Sequence, residues 1–322
     1  MKMMFLLALA ASVATAPDRM AEVDRQQQLI WASSGGANPM AARAPALAKL
    51  RTLGQTDDAA GIRAQALLLK WGSAADATAA WAWLVSRHRD DPRLAPVLEG
   101  WWDGSPLPDA AGRLRALQRE TKSPGVAATA RLLLARQDLA EGRRAEGLAA
   151  LREVQRTAGA TPSTLMGAGS PARLANVATA ILFQKERLAP GAPLPAITAT
   201  TLAGGRVDTA KWKGRPLIID FWATWCPPCI AALPRLKALH AANPQLRLVS
   251  VSGDDSPKAV SAWLAKKPHP GEQLWIGPSG RVSAEWANSA YPFYVVVGRD
   301  GRIVGTSSDI ATAERLVRRS LS

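Results

Sequence analysis

The chain has 322 residues, of which 48 % are apolar and 20 % are charged. This length suits two domains better than one core, and the composition excludes wholesale disorder and a multi-span membrane protein. Lys and Arg number 40 against 26 Asp and Glu, which gives a formal charge of +14. The basic residues are spread along the whole sequence without a run of four. This pattern argues against a nucleic-acid-binding face, and we expect no nucleic-acid partner.

The first residues have the pattern of a secretory signal peptide. Lys2 precedes an apolar run over residues 3–11, and small residues follow, ending with Ala14 and Ala16. Because Pro17 disfavours cleavage after Ala16, we predict a signal peptide over residues 1–14 and a protein released into the periplasm. A buried amino-terminal helix is the alternative. The absence of cysteine from this segment predicts that the protein is not a lipoprotein.

Residues 17–187 are rich in Ala, Leu and Arg and predict a helical domain of unknown role. Gly72 and Gly142 each begin a turn before a helix and lie 70 residues apart, twice the length of a tetratricopeptide-sized repeat. Stacked helical hairpins and irregular helical packing both remain open, as do a partner-docking surface and a purely structural role. The clearest amphipathic helices are predicted over Ala64 to Trp71, Asp76 to Val85, Ala128 to Leu139 and Ala145 to Val154.

Six tryptophans in this region could suggest a ligand site. Most of them have the spacing of core residues on a helix, so we interpret them as packing residues. The adjacent Trp101 and Trp102 must face two directions, so one of them could lie at a docking surface. The other four are Trp31, Trp71, Trp81 and Trp83.

The pattern changes near residues 188–193, where proline and glycine replace helical periodicity and predict a linker. Strand-like and helical runs then alternate, which predicts an α/β domain over residues 188–322. The predicted strands are Pro216 to Trp222, Leu246 to Ser252, Leu274 to Ile276, Phe293 to Val297 and Ile303 to Thr306. The predicted helices are Cys226 to Ala241, Pro257 to Lys266 and Thr312 to Arg319.

The only two cysteines, Cys226 and Cys229, follow a buried-strand pattern at the start of a predicted helix. A helix amino terminus stabilises a thiolate, so we expect Cys226 to be the exposed nucleophile and Cys229 the resolving thiol. Pro227 and Pro228 suit the first helical turn but remove two N–H donors, which favours a reductant over a strong oxidant. A structural disulfide is the alternative. The absence of a second cysteine pair, and of ligand spacing among the histidines, predicts no metal site.

The segment from Asp220 to Cys229, DFWATWCPPC, resembles the active site of the TlpA/ResA-like periplasmic thiol–disulfide oxidoreductases of the thioredoxin superfamily. The resemblance extends over about residues 188–322 and includes Pro234, where the family kinks its active-site helix. It implies a thioredoxin-like central sheet flanked by helices. It also implies that Asp220 is a buried carboxylate that takes the Cys229 proton; a strand-end carboxylate satisfied by the backbone is the alternative.

The resemblance further implies a substrate-binding surface made of Trp225, Tyr291 and Pro292, with Pro292 as the family's cis-proline. Tyr291 departs from the small or β-branched residue usual at its place. We interpret Asp254 and Asp255 as a helix cap for the run that begins at Pro257.

No cofactor is expected beyond the redox-active disulfide Cys226–Cys229. The resemblance implies disulfide-bonded protein substrates and a membrane electron donor, and the helical domain could hold a protein partner. Two other functions remain open: a partner-binding adaptor whose redox domain is regulatory, and a thiol peroxidase.

Overall fold

The computed structural model describes residues 15–33, 38–102, 105–165, 172–212, 214–277, 281–286 and 291–321. The predicted signal peptide, residues 1–14, lies outside these residues. Across the described parts of the chain, no helix combines the length and the apolar character needed to cross a bilayer. The chain divides into two compact units, Met1–Ser123 and Pro124–Ser322.

The first unit is helical. It contains α1 (Ala16–Ala32), α2 (Pro39–Leu53), α3 (Ala59–Trp71), α4 (Ala74–His88), α5 (Leu94–Trp101) and α6 (Ala110–Glu120). Thr15 and Asp18 form a capping box at the start of α1, and Ser73 and Asp76 form one at the start of α4, so side chains satisfy the first free N–H groups of both helices.

The second unit begins with α7 (Pro124–Ala140), α8 (Arg144–Thr157) and α9 (Leu174–Arg187). Gly142 turns the chain between α7 and α8 with φ of +83°, a conformation that favours glycine. A Cβ at Gly147 would lie 2.8 Å from Cγ of Leu139, so glycine allows the two helices to approach closely. Helix pairs are therefore present at both predicted glycine turns. Their tetratricopeptide-like character stays a prediction.

A seven-stranded mixed sheet follows, in the order β2-β1-β5-β4-β3-β6-β7. Its strands are β1 (Thr198–Thr201), β2 (Arg206–Asp208), β3 (Leu217–Trp222), β4 (Arg247–Ser252), β5 (Glu272–Trp275), β6 (Phe293–Val297) and β7 (Ile303–Ser307). The helices among them are α10 (Pro227–Ala242), α11 (Pro257–Leu264), α12 (Arg281–Trp286) and α13 (Ile310–Leu321), with a 3-10 helix at Thr209–Trp212. The predicted α/β architecture is confirmed; the short β1, β2 and α12 were not predicted.

Successive side chains of β3 enter two separate cores. Ile219 and Phe221 face a core that contains Trp286 of α12, whereas Ile218 faces a core closed by Leu236 of α10 and by α13. Every residue of β3 is buried, as expected for a central strand covered on both faces.

The compact units divide after Ser123, whereas the sequence places a domain boundary after residue 187. Helix α9 explains the difference, because the ring of Phe183 packs 5.2 Å from that of Trp286 and Leu188 joins the same core. The functional division into a helical domain and a redox domain stays a prediction.

Candidate active site

The two cysteines lie where β3 passes into α10. Cys226 is the N-cap residue of α10, and its Sγ accepts a hydrogen bond of 3.2 Å from the backbone N–H of Cys229. The cysteines are joined by a disulfide with an S–S distance of 2.01 Å and a Cα–Cα distance of 5.3 Å. At the amino terminus of α10, the backbone N–H of Cys229 is therefore directed toward the sulfur of Cys226.

The expectation that Cys226 is exposed is wrong for the disulfide form. Cys226 is 3 % and Cys229 6 % exposed, because both pack in a cluster with Trp222 and Val260, and Tyr291 lies against this cluster. The solvent-facing residues here are Pro227, Pro228 and Trp225, and Trp225 is 57 % exposed.

Trp225 and Tyr291 lie together beside the cysteines. Their rings meet edge to face with centroids 5.8 Å apart. The Tyr291–Pro292 peptide bond is cis, as the resemblance implied, and Pro292 is buried. Burial raises the pKa of Tyr291 to about 12, and the nearby charge of Asp254 contributes to the increase, so this phenol stays protonated at physiological pH.

Asp254 holds the loop that leads to Cys226, and the interpretation of this residue as a helix cap is wrong. Its buried carboxylate accepts hydrogen bonds from the backbone N–H of Thr224 (3.1 Å), the Thr224 hydroxyl (2.6 Å) and the Ser252 hydroxyl (2.7 Å). Ser256, not Asp254, is the N-cap residue of α11. Burial of a carboxylate is costly unless its oxygens accept hydrogen bonds. These three hydrogen bonds hold the Asp254 side chain in place.

Asp220 lies in the middle of β3, beside Ser250 of β4 and Tyr294 of β6 in the sheet register. It is 2 % exposed; burial raises its pKa, and a hydrogen bond from His269 opposes that increase. Oδ2 of Asp220 lies 3.2 Å from Nε2 of His269. Oδ1 is buried and has no hydrogen-bond partner among the described residues.

The contacts along α10 show which side of β3 the Asp220 side chain occupies. Ile218 packs with Leu236, and Trp222 packs with Cys229, which lies two turns earlier on α10. Asp220 is on the same face of β3 as Ile218 and Trp222, and between them. Its side chain therefore leaves β3 on the side that α10 covers, between the positions of Ile218 and Trp222.

His269 is a part of this site that sequence reasoning did not identify. Its side chain is 2 % exposed, and its ring lies 4.4 Å from the Trp222 ring, centroid to centroid. Nδ1 is 3.0 Å from Oγ of Ser250, which is also 3.1 Å from the carbonyl oxygen of Pro270. The sequence feature that could have indicated a polar site here is the Ser-Val-Ser pattern of β4, because it places two hydroxyl groups on one face of a buried strand.

The first unit contains an open groove of about 480 Å³ at Trp31, Trp71 and Trp101. Trp31 is 59 % exposed, so its interpretation as a packing residue is wrong; α1 ends one residue later, at Ala32, and leaves the ring at the groove. Trp81 is buried, as predicted, and of the adjacent pair Trp101 is buried. Lys70 and Arg93 also line the groove; Arg93 is paired with Asp91, and no acidic residue is present among the described residues that line the groove.

Comparison with known proteins gives the class of the part of the second unit that contains the sheet. Residues 189–315 match the family model described as Redoxin. Together with the mixed sheet and the cysteine pair at the start of α10, this match identifies a thioredoxin-like domain and confirms the predicted resemblance for this part of the chain.

Three relatives are similar over the same region. A thiol:disulfide interchange protein DsbE homolog of Paracoccus denitrificans is 32 % identical over 35 % of this chain and 63 % of its own length. The soluble secreted antigen MPT53 of Mycobacterium tuberculosis is 38 % identical over 21 % of this chain and 40 % of its own length. The thiol-disulfide oxidoreductase ResA of Bacillus thuringiensis is 22 % identical over 41 % of this chain and 78 % of its own length. The matched region thus spans less than two thirds of the length of the first two relatives.

Proposed function

We propose that this protein is an extracytoplasmic thiol–disulfide oxidoreductase that reduces disulfides in other proteins. The observation that supports this proposal most strongly is the Cys226–Cys229 disulfide at the amino terminus of α10, with Sγ of Cys226 accepting the N–H of Cys229. Similar relatives carry thiol–disulfide oxidoreductase names. The leader-like residues 1–14 and the similarity to the soluble secreted antigen MPT53 support a location outside the cytoplasm.

In the proposed reaction, the Cys226 thiolate attacks a substrate disulfide. One substrate sulfur leaves as a thiolate, and the other forms a mixed disulfide with Cys226. Cys229 then loses its proton and attacks Sγ of Cys226, which breaks the mixed disulfide and releases the second substrate thiolate. The substrate gains two electrons, and the Cys226–Cys229 pair loses them. A dithiol donor, in our proposal a membrane protein, returns the pair to its reduced form.

The reductive direction rests on the donors that face the Cys226 sulfur. Pro227 and Pro228 occupy the first helical turn and carry no N–H, so the N–H of Cys229 is the one that binds the sulfur. A thiolate with few donors is less stabilised, and this makes the reduced form the better electron donor. We therefore expect a reduction potential near the thioredoxin value of about −270 mV. A strongly oxidising protein of the thioredoxin superfamily would instead have a potential of roughly −120 mV.

Asp220 is proposed as the base for the second step, since its Oδ1 has no partner among the described residues and its side chain leaves β3 on the side that α10 covers. Trp225, Tyr291 and Pro292 are proposed as the surface on which the substrate strand lies. The exposed face of Trp225 and the missing N–H of Pro292 suit an extended peptide placed across the disulfide.

Insulin reduction with a small dithiol as donor tests the proposal. Wild-type protein should accelerate the reduction many-fold, and Cys226→Ser should lose all of this acceleration. Wild-type protein with alkylated thiols is the matched control for nonspecific effects. An equal rate with wild type and Cys226→Ser would contradict the proposal. A measured potential near −120 mV would contradict the reductive direction alone.

The groove of the first unit supports a second candidate, an adaptor that binds a protein partner. Its exposed Trp31 and the basic Lys70 suit a segment that carries an apolar side chain next to a carboxylate. A partner held in this way should bind the Cys226→Ser, Cys229→Ser double variant as tightly as wild type. It should bind Trp31→Ala at least tenfold more weakly, as is common for a buried aromatic contact. Loss of binding in the cysteine double variant would contradict the adaptor function.

A further inference from the structure

The buried contacts of Asp220 continue through two more side chains. Oδ2 of Asp220 meets Nε2 of His269 at 3.2 Å, and Nδ1 of His269 meets the hydroxyl of Ser250 at 3.0 Å. Both ionisable side chains are at most 3 % exposed. In the described parts of the chain, no group of three or more His, Cys, Asp or Glu side chains is arranged to hold a metal. Through these two contacts, Asp220, His269 and Ser250 form a chain of hydrogen bonds within the protein.

Ser250 has two acceptors for its one hydroxyl proton: Nδ1 of His269 at 3.0 Å and the carbonyl oxygen of Pro270 at 3.1 Å. When the hydroxyl donates to Nδ1, the imidazole is neutral and its Nε2–H donates to an Asp220 carboxylate. When the hydroxyl donates to Pro270, Nδ1 carries a proton and donates to Ser250. The Asp220–His269 pair then holds one additional proton. Both states satisfy every polar atom of His269 and Ser250.

We propose that His269 is a positioning residue for the resolving step, and that with Ser250 it allows buried Asp220 to take up and release the proton of Cys229. The inference deepens the proposed function and rests on it. In the step, the S–H bond of Cys229 breaks and its proton passes to Asp220, where the pair holds it. The Cys229 thiolate forms the S–S bond to Cys226, the bond from Cys226 to the substrate breaks, and the substrate thiolate leaves with both electrons of that bond.

Other groups around the pair do not replace His269. From β6, Tyr294 faces Asp220 across the sheet, but burial raises the pKa of this phenol and keeps it protonated. At the end of β4, Asp254 is engaged by Thr224 and Ser252. From α10, Cys229 packs with Trp222 on this side of β3, and the charged Arg235 is paired with Glu314 of α13. His269 is therefore the group that stabilises the carboxylate form of Asp220 against its burial.

A chromogenic aromatic disulfide, dithiobis(nitrobenzoate), tests the inference on the full-length reduced protein. The first thionitrobenzoate released reports attack by Cys226, and the second reports attack by Cys229 on the mixed disulfide. His269→Leu should leave the first phase within about twofold of wild type. In the pH–rate profile of the second phase, it should move the acid limb to a pH about one unit higher, because a lost hydrogen bond to a charged group raises the pKa of Asp220 by about one unit. At low pH the second phase should therefore be about tenfold slower than in wild type.

Three further variants make the test decisive. His269→Gln restores a donor to Asp220 and should recover part of the shift, which a purely structural role would not produce. Ser250→Ala should move the limb in the same direction by a smaller amount, and it provides the test if His269→Leu does not fold. His240→Leu, the same change at a histidine of α10 outside the network, should match wild type. An unchanged second-phase pH profile in His269→Leu, or in Ser250→Ala if the former does not fold, would overturn the inference.

The two proposals fail separately. If wild type shows both phases but does not reduce insulin, the proposed function is contradicted and the role of His269 in the resolving step is still measured. If wild type reduces insulin but His269→Leu keeps the wild-type profile, the role of His269 alone is contradicted.

Discussion

Replacing Asp254 by asparagine should destabilise the second compact unit by about 3–6 kcal/mol. The carboxylate accepts from the Thr224 N–H at 3.1 Å, the Thr224 hydroxyl at 2.6 Å and the Ser252 hydroxyl at 2.7 Å. Asparagine keeps one oxygen for the Thr224 hydroxyl but turns an NH₂ group toward the other two donors. Each hydrogen bond to a buried charge contributes about 1.5–3 kcal/mol, and two of them are lost.

The measurement is amide hydrogen exchange of β3 and β4 over a denaturant series, because these strands report on the second unit by itself. Asp255→Asn, a change of the exposed neighbouring residue, is the matched control and should lie within about 0.5 kcal/mol of wild type. Thr224→Val removes the hydroxyl alone and should cost about 1.5–3 kcal/mol, since that hydroxyl donates to the carboxylate.

The double variant should cost less than the sum of the two single changes, since Asp254 and Thr224 share the same hydrogen bonds. A cost for Asp254→Asn below about 0.5 kcal/mol, or strictly additive costs, would refute the reasoning that this carboxylate holds the active-site loop.

Asp220→Asn should raise the unfolding free energy above neutral pH: burial raises the pKa of Asp220, so the stability that its protonated form contributes is lost as pH rises through the folded-state pKa. Denaturant unfolding at several pH values checks this, and a constant difference from pH 4 to pH 9 would count against it. Trp225→Ala should change stability by less than about 0.5 kcal/mol, because the side chain is 57 % exposed, and should raise KM for insulin without slowing attack on the aromatic disulfide. An equal effect on both substrates would argue against Trp225 as a protein-binding residue. Trp286→Ala should cost about 3–5 kcal/mol because this fully buried ring packs on Phe183 and Phe221; a thermal midpoint equal to that of wild type would contradict this packing role.

The parts of the site that the sequence predicts are those set by local chain geometry. Cys226 and Cys229 are three residues apart at a strand-to-helix junction, so their pairing needs only one turn. Asp220 belongs to the same strand, and its burial follows from the apolar residues on both sides. Pro292 was identifiable by resemblance, because it directly precedes a strand of strong β pattern.

The remaining parts depend on contacts between distant segments. His269 meets Asp220 because β4 and β5 pair beside β3 and place the loop before β5 over Trp222. Nothing in the residues around His269 shows that contact. Asp254 looks like a helix cap from its neighbours, but the end of β4 turns it toward Thr224. Burial of Cys226 depends on packing with Trp222 and Tyr291, which only the assembled sheet brings together.

The division of labour between Cys226 and Cys229 is the central claim, and intact-protein mass spectrometry of single-cysteine variants tests it most directly. Reduced Cys229→Ser, incubated with an oxidised protein substrate, should accumulate a mixed disulfide through Cys226. Reduced Cys226→Ser should accumulate little or none, because Cys229 lies within the first turns of α10 and lacks the N-cap position. Mixed disulfides formed mainly by Cys226→Ser, or by neither variant, would contradict the account.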